Sequence, residues 1–125
     1  MPIIKKSQGF KKIINIASVK GTYSAVGYVA YASSKAAIIN LTTGLAKEFA
    51  PDIMVNSVSP GFVDTEMTNR TWSKRIQKQV KSILLKRIAT PDEIANVILF
   101  LCSDECTYIN GQNIIVDGGF GIKNE

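Results

Sequence analysis

The chain alternates short apolar runs with longer stretches of helical periodicity. Residues 12–17 (Lys-Ile-Ile-Asn-Ile-Ala) form a β-branched run of the length and type of a buried strand. Gly21 and Gly27 punctuate a loop behind it. From Ala30 to Ala50 good helix formers predominate, with Ile38, Leu41, Leu45 and Phe49 spaced for one apolar face. Pro51-Asp52 stops that helix, and Ile53 to Val58 reads as a second buried strand closed by Ser59-Pro60-Gly61.

Beyond a polar loop, Ile76, Val80, Ile83 and Leu84 recur at i, i+4, i+7 and i+8, a helical stripe. Thr90-Pro91-Asp92-Glu93 is a helix start: a Thr cap, Pro at the first helical position, acids in the first turn and Glu93 three residues after the cap. That helix runs through Ile94, Val97, Ile98 and Leu101. After Ile109-Asn110-Gly111 comes a third strand, Asn113 to Val116, and then Asp117-Gly118-Gly119. Buried strands alternating with helices predict β-α-β crossovers and a parallel sheet. The fold class is therefore α/β, with about three strands and flanking helices in a single domain over 1–125. No internal repeat or low-complexity linker divides it.

Composition narrows the chemistry. The chain has 125 residues, 46% apolar and 20% charged, ordinary values for a globular protein long enough to bury a core. It contains no histidine, which removes Ser-His-Asp hydrolysis, Cys-His proteolysis and histidine-ligated metals. Two thiols, Cys102 and Cys106, make a poor metal cage, so no metal is expected; a reduced, buried, structural pair is the reading preferred over a disulfide. No run approaches the roughly 20 apolar residues of a membrane helix, and the start does not resemble a signal peptide. A cytoplasmic protein with no membrane partner is expected.

Acid/base work must then come from Tyr, Lys, Asp or Glu. In a parallel sheet ligands gather at the carboxyl ends of the strands. Ser18 stands just past the first strand, Tyr31 and Lys35 open the next helix four residues apart, and Pro60-Gly61 follows the second strand. An ammonium one helical turn from a phenol stabilises the phenolate, so the phenol can exchange a proton with a carbonyl or alcohol oxygen. A hydroxyl such as that of Ser18 can donate to the same oxygen. Each element alone has a plainer reading: a helix-surface pair, a loop or cap residue, a turn glycine. Tyr28 is the weaker phenol candidate, seven residues from Lys35 and ahead of the helix.

Together these segments resemble the short-chain dehydrogenase/reductase family. Ile14-Asn15-Ile16-Ala17-Ser18 is similar to its strand ending in a catalytic Ser. Tyr31-Ala32-Ser33-Ser34-Lys35-Ala36-Ala37, with its Tyr thirteen residues after Ser18, is similar to its Tyr-x-x-x-Lys-Ala helix. Val55 to Thr65 resembles its Val-Asn-x-Val-x-Pro-Gly segment. Lys86 to Ala95, and Ile109 to Gly119, resemble the tail of its 3-oxoacyl-carrier-protein reductase-like members.

The resemblance implies the C-terminal portion of a Rossmann-like doubly wound sheet. It implies an oxidoreductase that interconverts a carbonyl and an alcohol by hydride transfer with NAD or NADP. Tyr31 would be the acid/base, Lys35 would hold the nicotinamide ribose, and Ser18 would bind the substrate carbonyl. Pro60, Gly61, Val63 and Thr65 would line the nicotinamide side, the plainer reading of Val63 and Thr65 being loop packing. The family's Gly-rich turn, its Asn-Asn-Ala-Gly segment and its catalytic Asn have no counterpart here, so the N-terminal dinucleotide-binding half is expected to be absent. Reductase activity is then expected of a full-length parent, with little from the 125 residues alone. Related enzymes form dimers and tetramers, which implies a homo-oligomer. A catalytically silent remnant that acts only through subunit association is the alternative.

The net charge of +5 is localised: Arg70, Lys74, Arg75, Lys78, Lys81, Lys86 and Arg87 stand in one stretch without an acid. The resemblance makes this the substrate lid. A solvated helix face is the plain reading, and attraction of an acidic partner or phosphate is the functional one. Nucleic acid is not an expected partner, because the run lacks aromatic interleaving beyond Trp72.

Overall fold

The structure, a computed structural model, describes residues 11–66, 68 and 74–122. Its strands are β1 (Lys11–Ile16), β2 (Ile53–Pro60) and β3 (Asn113–Val116), in the order β1-β2-β3. Its helices are α1 (Val29–Phe49), α2 (Lys74–Ser82) and α3 (Pro91–Cys102), with a 3-10 turn at Val19–Gly21. Both strand pairs are parallel. Lys11 pairs with Ile53 through to Ile16 with Val58, and Ser57 pairs with Asn113 through to Pro60 with Val116.

The period of two along the strands divides the core into two layers. Ile13, Ile53 and Val55 pack with Ala46, Leu45 and Phe49 of α1. Ile14, Val58 and Ile114 pack on the other face with Ile94, Val97, Ile98 and Leu101 of α3. Helices on both faces make the sheet doubly wound, as the alternating pattern predicts. Of the stripe predicted for α1, Leu45 and Phe49 pack against this core, but Leu41 is 53% exposed, and the buried positions are Ala32, Thr42 and Ala46. Small residues let the helix axis approach the sheet closely, with Leu45 and Phe49 packed beside them.

The central strand is buried along most of its length although it contains Asn56, Ser57 and Ser59. Each has a partner, as buried polar groups require. Asn56 Nδ2 donates to Ile109 O at 2.7 Å, and Asn56 Oδ1 accepts from Gln112 N at 2.9 Å. The Ser57 and Ser59 hydroxyls both reach Asn113 Oδ1, at 2.9 and 2.7 Å. Val55 N donates to Asn110 Oδ1 at 2.8 Å. This polar seam fixes the register between β2 and the segment that leads into β3.

Helix α3 begins as predicted. Thr90 Oγ1 accepts from Glu93 N, and the Glu93 carboxylate accepts from Thr90 N, a complete capping box. The stripe from Ile76 to Leu84 overruns its helix, since α2 ends at Ser82 and the buried Ile83 lies just beyond it. The cysteines are both free, but only Cys106 is buried; Cys102 is exposed, because its position on α3 turns away from the sheet.

Candidate functional site

The carboxyl end of β1 passes into Ala17, Ser18 and Val19, all buried. Ser18 caps the 3-10 turn, its hydroxyl accepting from Lys20 N at 3.2 Å. That turn lies directly against α1: a Cβ on Gly21 would stand 2.8 Å from the carbonyl carbon of Lys35. Only glycine permits this approach, which brings the Ser18 segment beside the first turns of α1.

On α1, Tyr31 is 46% exposed and Lys35 lies one turn further on. The Lys35 ammonium is 5.8 Å from the Tyr31 ring centroid. It also donates to Ile16 O, the last carbonyl of β1, at 3.2 Å. The ammonium therefore links the helix carrying Tyr31 to the strand end carrying Ser18. Tyr28, at the N-cap of α1, packs edge-on against Tyr31 with ring centroids 6.4 Å apart.

The end of β2 supplies the next segment. Pro60 pairs with Val116, Gly61 N donates to Val116 O at 2.9 Å, and a Cβ on Gly61 would stand 2.8 Å from Asp117 Cβ. Val63 forms a parallel bridge with Ala89, made by Asp64 N to Ala89 O and by Ala89 N to Phe62 O. In a parallel bridge of this kind Val63 turns its own N–H and C=O to the opposite side. The Thr65 hydroxyl is engaged locally, accepting from Thr68 N at 3.3 Å and lying 3.2 Å from the Thr68 hydroxyl.

The structure thus brings Ser18, Tyr31 and Lys35 to one corner of the sheet, and aligns Pro60, Gly61 and Val63 along the neighbouring strand end. Thr65 lies further along the same loop, in a capping arrangement. A separate shallow depression is lined by Phe62, Leu85, Arg87, Glu93 and Asp117, and includes none of the first three residues. Tyr31 and Lys35 on α1 and Ser18 past β1 are held at the strand ends instead.

Sequence reasoning missed a cluster beside them. The Lys20 ammonium lies over the rings of Tyr23, Tyr28 and Phe120, and Phe120 packs edge-on against Phe62. Lys20, Tyr23 and Tyr28 are close in the chain, whereas Phe62 and Phe120 join them from distant loops that no local spacing connects. Burial first, and the charge of Asp117 second, raise the Tyr23 phenol above its ordinary titration range. Among the described residues no His/Cys/Asp/Glu group is placed to hold a metal, and no helix is long and apolar enough to cross a membrane.

Fold and side chains together define a Rossmann-like α/β protein with a phenol, an ammonium and a hydroxyl at its strand ends. Residues 1–121 match the family model described as Enoyl-(Acyl carrier protein) reductase. The chain is 46% identical to 3-oxoacyl-(acyl-carrier-protein) reductase FabG of Aquifex aeolicus, over 90% of its own length and 46% of the relative's. It is 40% identical to an NAD-dependent glycerol dehydrogenase of Listeria innocua, over 92% of its own length and 46% of that relative's. A solved structure of 4-hydroxyisoleucine dehydrogenase complexed with NADH superposes with a TM-score of 0.84 at 36% identity, covering 90% of this chain and 48% of the other. The chain belongs to the short-chain dehydrogenase/reductase family. It spans about half the length of the curated relatives it matches.

Proposed function

We propose that this chain carries the proton-handling half of an NAD(P)-dependent oxidoreductase that interconverts a small carbonyl compound and its alcohol. The observation that carries this reading is the Lys35 ammonium, one turn from Tyr31 and hydrogen-bonded to the end of the strand that leads to Ser18. Family membership and the NADH-bound structural neighbour support it.

The residues present fit a nicotinamide. Lys35 and Tyr31 offer donors for ribose hydroxyls, and the outward N–H and C=O of Val63 match the complementary groups of a carboxamide. Pro60 and Gly61 would line the same side, with Thr65 beyond them. When bound, the reduced nicotinamide supplies a hydride, one proton with two electrons, to the carbonyl carbon. Tyr31 then gives its phenolic proton to the carbonyl oxygen as negative charge develops there. The Lys35 ammonium holds the resulting phenolate until a proton from solvent restores it. Ser18 donates a hydrogen bond to the same oxygen and fixes its position. In the oxidative direction each proton moves the opposite way. NAD and NADP fit this half equally.

A cytoplasmic homo-oligomer, dimer or tetramer, is part of the same reading. Its test is Tyr31→Phe, measured in the protein that contains this chain. Turnover is expected to fall by about 10²–10⁴-fold, the usual share of a positioned acid/base, with nucleotide affinity changing far less. Unchanged turnover in Tyr31→Phe would refute the assignment. No turnover in the parent, combined with retained self-association, would favour a silent subunit.

A further inference from the structure

The chain leaves the end of β3 through a turn packed against two other segments. Gly118 and Gly119 both take positive φ, 62° and 83°, which reverses the backbone where a side chain would be strained. There is no room for one either: a Cβ on Gly118 would stand 2.9 Å from Ile83 Cγ2, and one on Gly119 would stand 2.7 Å from Leu84 Cδ1. At its start the turn meets Gly61, where a Cβ would stand 2.8 Å from Asp117 Cβ. The Asp117 carboxylate locks the reversal, accepting from Gly119 N at 2.8 Å and from Gly121 N at 2.7 Å.

This reversal sets Phe120 edge-on against Phe62, with ring centroids 5.2 Å apart and planes at 85°. The Tyr23 ring, its centroid 6.5 Å away, flanks Phe120 as well. Among the described residues, neither Phe62 nor Phe120 belongs to the two apolar clusters that hold the sheet. What the pair holds is local. Phe62 directly precedes Val63, whose N–H and C=O turn outward at the nicotinamide flank. The Val63 side chain packs against the α3 cluster, and its bridge to Ala89 uses Phe62 O and Asp64 N. Those contacts fix one side of the segment, and the Phe62 ring, bearing on Phe120, fixes the other.

An edge-to-face ring pair is directional, because the positive edge of one ring seeks the negative face of the other. Truncating Phe120 leaves Phe62 without that partner, free to change rotamer and to let the Phe62–Val63 backbone shift with it. Small displacements of a binding group matter, since a group about 1 Å out of place loses much of its effect.

We propose that Phe120 is a positioning residue of the site: through Phe62 it holds the Val63 backbone in the orientation that receives the nicotinamide. That a nicotinamide is received there rests on the oxidoreductase reading; the hold of Phe120 on the segment rests on the ring pair and the locked turn behind it.

The test uses Phe120→Ala and Phe120→Tyr in the protein that contains this chain. Calorimetry compares the reduced dinucleotide, NADH or NADPH, with ADP-ribose or its 2′-phosphate, which lack the nicotinamide. Phe120→Ala is expected to raise Kd for the dinucleotide by about three- to tenfold, the value of one ring pair. Its Kd for the nicotinamide-free ligand should stay unchanged, which also shows that the variant is folded. Phe120→Tyr keeps the ring and should bind both ligands as the wild type does. Without ligand, hydrogen exchange at the Asp64 and Ala89 amides should quicken by a similar factor in Phe120→Ala, while the Ala17 amide, bonded to Val58 O, should not change. Equal loss of both ligands, an unchanged dinucleotide Kd, or unchanged exchange at Asp64 and Ala89 overturns the proposal. Quickened exchange at those amides in a protein that binds no dinucleotide sustains the hold of Phe120 while the oxidoreductase reading fails. Dinucleotide binding and turnover that Phe120→Ala does not alter do the reverse.

Discussion

Glu93 shows how much a single exposed residue can be shaped by its neighbours. Its carboxylate takes two hydrogen bonds from Arg87, at 2.6 and 2.8 Å, and one from Thr90 N at 2.8 Å. The Arg87 hydrogen bond first, and the Thr90 N–H second, hold the carboxyl at about 2, against an ordinary 4.5. A depressed carboxyl contributes stability that is fully present above its unfolded value and lost as pH falls through its folded one. The helix cap should therefore survive from neutral pH to below 4.5 and disappear on approach to about 2. Titration of the Glu93 carboxyl carbon by NMR should give that low midpoint, and Arg87→Gln should bring it back toward the ordinary range. A wild-type midpoint near 4.5 would show that the pair does not persist in solution. The capping half of this arrangement was legible in the sequence, because Thr-Pro-Asp-Glu is a local signal. The Arg87 half was not, because a run of basic residues gives no sign of which one turns back onto an acid. Lys20 lies near Tyr23 and Tyr28 in the sequence, but its contact with Phe120 has no local signal. The positions of Ser18, Tyr31 and Lys35 were readable because they follow predicted strand and helix ends.

At the scale of elements, the decisive contact is the approach of the 3-10 turn to α1. A Cβ on Gly21 would meet the Lys35 backbone at 2.8 and 2.9 Å, atoms that cannot step aside without moving the helix. Gly44, further along α1, would meet nothing within 4 Å. Gly21→Ala is expected to cost about 1–3 kcal/mol as an overpacked contact, and to separate Ser18 from the Tyr31 helix. Gly44→Ala is expected to stabilise by about 0.5–1 kcal/mol through helix propensity. Chemical denaturation of the two variants checks both signs, and equal effects would refute the packing argument. Strand and helix order followed from the apolar periods, and the buried face of α1 only in part, through Leu45 and Phe49. Hydrophobic spacing marked Leu41, whereas the sheet selected Ala32, Thr42 and Ala46, with Thr42 also accepting from Asn15 Nδ2 at 3.0 Å. Close packing rewards small residues that a hydrophobicity pattern overlooks. Lys12 was equally unreadable as a structural residue. From β1 it donates to the carbonyls of Ser103 and Cys106, setting a cation at the C-terminal end of α3.

For the molecule as a whole, one sheet couples two apolar clusters that share no helix. Ile53, 1% exposed, anchors the α1 face, and Leu101, also 1% exposed, anchors the α3 face. Between them runs the β2 backbone with its polar seam to Asn110 and Asn113. Because each cluster covers only one face, neither has enough buried surface to hold the sheet unaided, and the two should unfold together. Leu101→Ala is expected to cost about 2–5 kcal/mol and Ile53→Val about 0.5–1.5 kcal/mol. The double variant should equal their sum within about 0.5 kcal/mol, since the two side chains belong to opposite faces and have no partner in common. Urea unfolding should show one transition for every variant, with the midpoint moving and the slope constant. Two separated transitions, or a slope that falls in Leu101→Ala alone, would mean that the α3 face melts independently of the α1 face. The candidate corner would then depend on α1 and β1 alone, and substitutions on the α3 face would leave Lys35 bound to the end of β1. A single transition makes the site as stable as the whole sheet, so a cavity beneath α3 loosens Tyr31 and Ser18 as much as one beneath α1.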